Sequence, residues 1–342
     1  MRFFTAAALL LASVPAVLGQ NATLLAGLIS LLNDAGLSQL VNVTSQVNTS
    51  AAGPSVLAQL SSGGTYVLFA PNNTAFQQAS SRLPSDLDGL TDLIAYHIVS
   101  GNFTGVSTNY TNTTLGRTLL SDPKFVQLEA SGEHQVLAWA NRSDGQVHVL
   151  NQLNDTIVTN ATTYGNITVY TIDNVLTIPE TFAQTVPVNN ASLFSTQAAL
   201  SLVSVPYYNS STNQTTNETL FEVLNSGLHG FTLFAPNNTA VQSVESNLTS
   251  LSSNQTALIT LFQNHLINGS TVYSPLLSSA NSTSAAGEPL TFVLNATGHY
   301  VTSGNVTARI VQPDVLLPNG VIHVIDRVLV NVQSDPSAAS SA

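Results

Sequence analysis

Tyr66-Val67-Leu68-Phe69-Ala70-Pro71-Asn72-Asn73-Thr74-Ala75 returns almost letter for letter as Phe231-Thr232-Leu233-Phe234-Ala235-Pro236-Asn237-Asn238-Thr239-Ala240. Each copy opens as a short β-favouring apolar run and then meets a proline. Proline has no N–H to give a sheet ladder, so the strand is predicted to stop there. One asparagine of the pair then supplies an N-cap for a following helix: Asn72 or Asn73 in the first copy, Asn237 or Asn238 in the second. A strand, proline, cap and helix reproduced this closely mark a duplicated domain.

The landmarks around each junction also repeat in order. In the first half, Leu24, Leu25, Leu28, Leu31 and Leu32 cover one face of a helix that ends near Gly36, and Pro54 to Leu60 forms a second helix. After the junction, a helix from Leu90 to Val99 carries Tyr96-His97; in the second half, a helix from Ala257 to Ile267 carries Asn264-His265. Strand-like runs follow at 125–128, 136–139 and 146–149, and again at 290–294, 299–302 and 306–311. Leu193 to Val203 and Leu220 to Leu224 read as helices, and Tyr207 to Glu218 as an Asn/Ser/Thr loop. Asn166 to Leu176 and Asn319 to Leu329 are matched closing strands, with Asp173 and Asp326 in the same place. An Asp repeated at equivalent positions of two domains fixes a strand end; it does not pair as a catalytic carboxylate. Pro179 and Pro187 bracket a linker. The expected layout is a leader at 1–19, a domain at 20–180, a linker at 181–190, a domain at 191–332 and a Ser/Ala-rich tail at 333–342.

Composition limits what these domains do. Charged residues make up only 7% of the chain and the formal net charge is −11, which argues against nucleic acid or an anionic membrane as partner. There is no cysteine, so disulfides, thiolate catalysis and cysteine-ligated zinc are excluded. Arg2 followed by the apolar run from Phe3 to Val14 and by Val17-Leu18-Gly19 reads as a secretory leader, and no later stretch is long enough to span a bilayer. The small, polar carboxyl end lacks the apolar tail of a lipid-anchor signal, so an anchor is expected only if the chain is truncated there. Of 32 asparagines, 22 are followed two residues later by Ser or Thr, where 77 Ser/Thr in 342 residues give about 7 by chance. This excess predicts an N-glycosylated exterior, with Asn102, Asn109, Asn112, Asn209, Asn213 and Asn217 in sugar-bearing loops.

Leu68-Phe69-Ala70-Pro71, Tyr96-His97 and Gly320-Val321-Ile322-His323-Val324-Ile325-Asp326 together resemble the two conserved segments and the intervening tyrosine-histidine motif of fasciclin (FAS1) domains. The resemblance runs as two tandem copies from about Asn21 to Val332 and implies an α+β fold in which a wedge of short strands packs with several helices. It also implies extracellular adhesion or matrix work, with a cell-surface or cell-wall protein or polysaccharide as partner and with no cofactor. A secreted, sugar-coated tandem most resembles fungal fasciclin-like surface proteins.

The same resemblance points to contact residues. In animal members the tyrosine-histidine segment is tied to integrin binding, which carries over to Tyr96 and His97, and to His265 in the copy where Asn264 replaces the tyrosine. Gln312-Pro313-Asp314-Val315 is similar to the family's adhesion tetrapeptide Glu-Pro-Asp-Ile and nominates Asp314 and Val315. The alternative for the tyrosine-histidine segment is a packed ring and a hydrogen-bonded imidazole, and for Asp314 a local turn contact. No Gly-x-Ser-x-Gly elbow, His-Glu-x-x-His helix or phosphate-cradling glycine loop is present, and the seven histidines lack metal-ligand spacing, so no catalytic or metal site is expected. A carrier of an apolar lipid or pigment, held between sheet and helices, is the competing function.

Overall fold

A computed structural model describes residues 19–103, 108–129, 132–187, 192–209, 213–251, 253–280 and 282–339. The proposed leader lies outside the described residues apart from Gly19, where the first helix begins. Two compact units form: one from residues up to 107, 115–122 and 134–178, the other from 108–114, 123–133 and 179 onward. The first unit carries helices α1 (Gly19–Asp34), α2 (Ser38–Val47), α3 (Gly53–Leu60), α4 (Asn73–Ala79) and α5 (Leu87–Tyr96). Its strands are β1 (Tyr66–Pro71), β2 (Ile98–Ser100), β3 (Thr114–Arg117), β4 (Val136–Asn141), β5 (Val147–Val149), β6 (Thr156–Tyr164) and β7 (Ile167–Ile172).

The sheet runs β2-β1-β7-β6-β5-β4-β3. Its centre is a parallel ladder between the signature strand and the closing strand, from Tyr66 opposite Ile167 to Pro71 opposite Ile172. All six residues of β1 are buried, as suits an apolar run covered on both faces. Phe69 lies edge-on to Trp139 and Tyr170 at 5.4 and 5.5 Å between ring centres.

The second unit opens with α6 (Phe182–Thr185) and α7 (Phe194–Ser201) and a hairpin of β8 (Ser204–Asn209) and β9 (Gln214–Thr219). Then come α8 (Leu220–Glu222), β10 (Phe231–Pro236), α9 (Asn238–Ser243), α10 (Glu245–Leu251), α11 (Gln255–Gln263) and β11 (Leu266–Asn268). Strands β12 (Ser282–Thr283), β13 (Pro289–Asn295), β14 (Gly298–Ser303), β15 (Val306–Leu317) and β16 (Gly320–Ile325) complete it, before a last turn, α12 (Pro336–Ala339). The order β11-β10-β16-β15-β14-β13-β12 repeats the first sheet strand for strand. The two-residue period of β10 divides the core: Phe231, Leu233 and Ala235 join Ile322 and Val324 in one cluster, whereas Phe234 joins Ile310 and Ile325 in the other.

Several segments differ from expectation. Phe125 to Leu128 is not a strand, and its segment belongs with the second unit, where the Gln127 N–H donates to the Pro318 carbonyl at 2.7 Å. Residues 207–218, read as a loop, lie largely within the β8–β9 hairpin. Its alternation of Val205 and Tyr207 inward with Pro206 and Tyr208 outward was masked by its Asn/Ser/Thr content. Within the stretch read as a linker, Phe182 and Val186 are fully buried in the second core.

Candidate functional site

The junction that organises both units uses its two asparagines for different tasks. Asn72 and Asn237, extended at the N-cap, accept the Ala75 and Ala240 N–H groups, each at 2.8 Å. The next residue reaches away. Asn73 Oδ1 accepts the N–H of Gln39 at 2.9 Å, and Asn238 Oδ1 accepts that of Ser195 at 2.8 Å. Gln39 and Ser195 are the second residues of α2 and α7, whose own N-cap residues, Leu37 and Leu193, have no side chain able to cap. The repeated pairing of asparagines was the available sequence signal for this second task.

His97 and His265 occupy the same geometry in the two units. His97 Nδ1 donates to the Leu93 carbonyl at 2.7 Å and Nε2 accepts the Leu176 N–H at 3.0 Å; His265 bonds Leu261 and Leu329 at 2.8 and 2.9 Å. Each imidazole ties the end of a helix to the chain just beyond the closing strand, and because Nε2 must accept, each ring is neutral. Burial pushes both down to about 4, against a smaller opposing effect of the carbonyl bond. Tyr96 is wholly buried, and burial raises its phenol well above the ordinary value. Its counterpart Asn264 donates to the carbonyls of Asn331 and Gln333 and accepts from Ser284, so an amide network replaces an aromatic ring.

Asp314 and Val315 are likewise fully buried. Asp314 sits at φ 56° and accepts from the Ser274 N–H at 2.7 Å, from the Ser274 hydroxyl, and from the Thr113 hydroxyl at 2.7 Å, Thr113 belonging to the same unit. Its own N–H donates to His323 Nδ1 at 3.2 Å, and His323 Nε2 donates to the Val272 carbonyl at 2.9 Å. The serine is thus bonded to the carboxylate and not to the imidazole, which is the wrong order for a nucleophile and its base. All five sequence-nominated contact residues, Tyr96, His97, His265, Asp314 and Val315, are therefore interior. The repeated aspartates do fix strand ends: Asp173 accepts the Ile157 N–H and Asp326 the Arg309 N–H, both at 2.8 Å.

No three His, Asp or Glu side chains converge on a metal position among the described residues. His148 is occupied on both ring nitrogens, by Asp155 and Asp144, each at 2.9 Å. A small apolar cavity lies beside His265, lined by Leu200, Leu233, Phe234, Leu248 and Phe262. Its volume, about 20 Å³, is room for one water and not for a lipid or pigment.

The exterior is better matched to the sequence. Of the 22 sequon asparagines, 17 have described side chains; 12 are exposed, five are half-buried and none is buried. Among the described residues the three buried asparagines, Asn264, Asn319 and Asn331, all lack a sequon. Asn102, Asn109, Asn112, Asn213 and Asn217 are exposed, while the side chain of Asn209 lies outside what is described. No helix among the described residues is long and apolar enough to cross a membrane.

Comparison with known proteins adds three findings. The sequence profile of the Fasciclin domain matches residues 28–179 and 207–331. A fasciclin-like arabinogalactan protein of Arthroderma benhamiae is 26% identical over 302 residues, which are 86% of this chain and 64% of that protein, so the chain spans less than two thirds of this relative's length. A solved FAS1 domain pair from the insect cell adhesion molecule Fasciclin I aligns with 87% of this chain and 98% of its own, at 17% identity and a TM-score of 0.38.

Proposed function

The chain belongs to the fasciclin family, and from that membership we propose that it is a secreted, non-enzymatic glycoprotein of the cell surface or cell wall, acting in adhesion through two tandem units. The observation that carries this reading is the distribution of sequons: a threefold excess over chance, with none of the 17 described ones buried. An exterior carrying many sugars suits a hydrated wall or matrix, and two units in one chain convert weak single contacts into avidity. With Tyr96, His97, His265, Asp314 and Val315 interior, the contacts fall to exposed loops and glycans, and the partner is a surface or wall protein or polysaccharide. The small cavity beside His265 gives the carrier alternative no support.

The test is to fractionate wall, membrane and medium from the native host and weigh the deglycosylated polypeptide. Retention on the wall or surface, with a bare polypeptide mass after sugar removal, is the expected result. Free protein in the medium with a stoichiometric apolar mass or a visible chromophore would overturn the proposal.

A further inference from the structure

Asparagine side chains meet the backbone in two ways: some accept an N–H through Oδ1, as Asn73, Asn225 and Asn238 do outside any sequon, and others donate Nδ2 to a carbonyl. A backbone N–H can meet only the amide oxygen of an asparagine, and a backbone carbonyl only its nitrogen, so these partners fix the orientation of the group. Asn72, Asn237 and Asn254 accept an N–H three residues on, at 2.8, 2.8 and 3.1 Å, and Asn295 accepts that of Thr297 at 2.8 Å. All four are sequon asparagines, and none of the four donates through Nδ2 to another described residue. Asn174, Asn264 and Asn319 do the reverse, giving Nδ2 to carbonyls of Asp155, of Asn331 and Gln333, and of Leu224 and Leu228. None of these three is in a sequon.

Asn166 differs from those four acceptors. It is a sequon asparagine, yet its Nδ2 donates to the Gly64 carbonyl. Its place at the head of the closing strand is that of Asn319 in the second unit, where the same amide nitrogen holds the chain leading into the signature strand. The sequon at 166 thus falls on a residue whose nitrogen the fold engages.

We propose that Asn72, Asn237, Asn254 and Asn295 carry N-linked glycans and that Asn166 is left bare. The proposal rests on the secreted-glycoprotein reading above, because the donor is a lipid-pyrophosphate-linked oligosaccharide. Transfer breaks the bond from sugar C1 to the pyrophosphate oxygen, forms C1–Nδ2, releases one Nδ2 proton to a base of the transferase, and frees the lipid pyrophosphate. At the three helix caps and the β13–β14 turn this leaves Oδ1 on its backbone N–H, so local structure and modification coexist. At Asn166 a sugar would sit on the same half-buried nitrogen that bonds the Gly64 carbonyl and would compete with the backbone for that space. The hydrogen bonds also anchor these asparagines, fixing where the sugars leave three helix N-termini and one hairpin.

The experiment is site mapping on protein secreted by the native host: release by peptide-N-glycosidase in ¹⁸O water, which converts each occupied asparagine to labelled aspartate, followed by peptide mass spectrometry. The expected result is label at Asn72, Asn237, Asn254 and Asn295 in the majority of molecules and at Asn166 in a small minority. Asn72→Asp, which keeps the capping oxygen, is expected to secrete with the mass of one glycan missing. Label at Asn166 as frequent as at the other four, or bare Asn72 and Asn237 alongside occupied Asn102 and Asn109, overturns the assignment while leaving the glycoprotein reading intact. A chain bare at all its sequons overturns both.

Discussion

Asn73 caps a helix that lies 34 residues before it in the chain, accepting the Gln39 N–H at 2.9 Å. Asn238 does the same for Ser195 from 43 residues away. The Asn-Asn pair is therefore a two-way cap, one oxygen for the helix that follows and one for an earlier helix, α2 or α7. It joins the strand end, the following helix and the earlier helix at one point in each unit. This explains why the duplicated stretch extends past the proline.

Asn73→Ala is expected to destabilise the first unit by about 1 kcal/mol, as for loss of an N-cap oxygen, and Asn238→Ala the second by a similar amount. Both substitutions keep the neighbouring sequon, since only the middle residue changes. Asn73→Asp retains the acceptor and should recover most of the loss. Denaturant midpoints of the three variants check this; an unchanged midpoint for both alanine variants would remove the two-way cap.

Much of this fold was legible in the letters because duplication supplied an internal control. The β1 and β10 strands, the stop at each proline, the caps and the closing strands with Asp173 and Asp326 stand where spacing puts them. What stayed hidden depends on distant partners. Whether Asn72 or Asn73 capped the next helix could not be chosen from adjacency, because the competing partner of Asn73 is a backbone group on α2. Phe125 to Leu128 looked like a strand by composition but has no ladder to join, and the β8–β9 hairpin looked like a loop because its outer face is polar. For the adhesion segments, a tetrapeptide match carries no information about exposure, and only packing shows Asp314 and Val315 to be interior.

Asp314→Ala is expected to cost about 3 kcal/mol, since it leaves the Ser274 N–H and two buried hydroxyls without their acceptor. Secretion should fall accordingly. Stability and wall retention should decline together, whereas a true surface contact would lose retention at an unchanged melting point. Parallel melting and wall-binding measurements on the variant distinguish the two.

Phe182→Ala tests where the second unit begins. Phe182 is fully buried and lies 5.4 Å from the ring of Phe221, and the neighbouring Ala183 N–H donates to Asn225 Oδ1 at 2.9 Å. Emptying that position is expected to cost about 3–5 kcal/mol, whereas a residue in a free linker would cost nothing measurable. The loss should appear in the unfolding of the second unit, followed by hydrogen exchange at β10 and β16, while β1 and β7 keep their protection.

The paired imidazoles make acid the weak side of this protein. His97 and His265 are held near 4 in the folded chain, against 6.5 when unfolded, because burial disfavours the cation and Nε2 must stay an acceptor. Above pH 6.5 both states are neutral at these positions and their contribution is intact. As pH falls from 6.5 toward 4, the unfolded chain takes up protons that the folded chain refuses, so stability drops through that window and levels off below it. The gap corresponds to roughly 3 kcal/mol for each histidine. Replacing both by Gln should lower stability at pH 7, through loss of the Leu176 and Leu329 bonds, and at the same time flatten the profile between 6.5 and 4. Denaturant titrations at half-unit pH steps read this directly. An equally steep profile in the double variant would move the acid sensitivity elsewhere, first to His299 and His323, which burial also lowers.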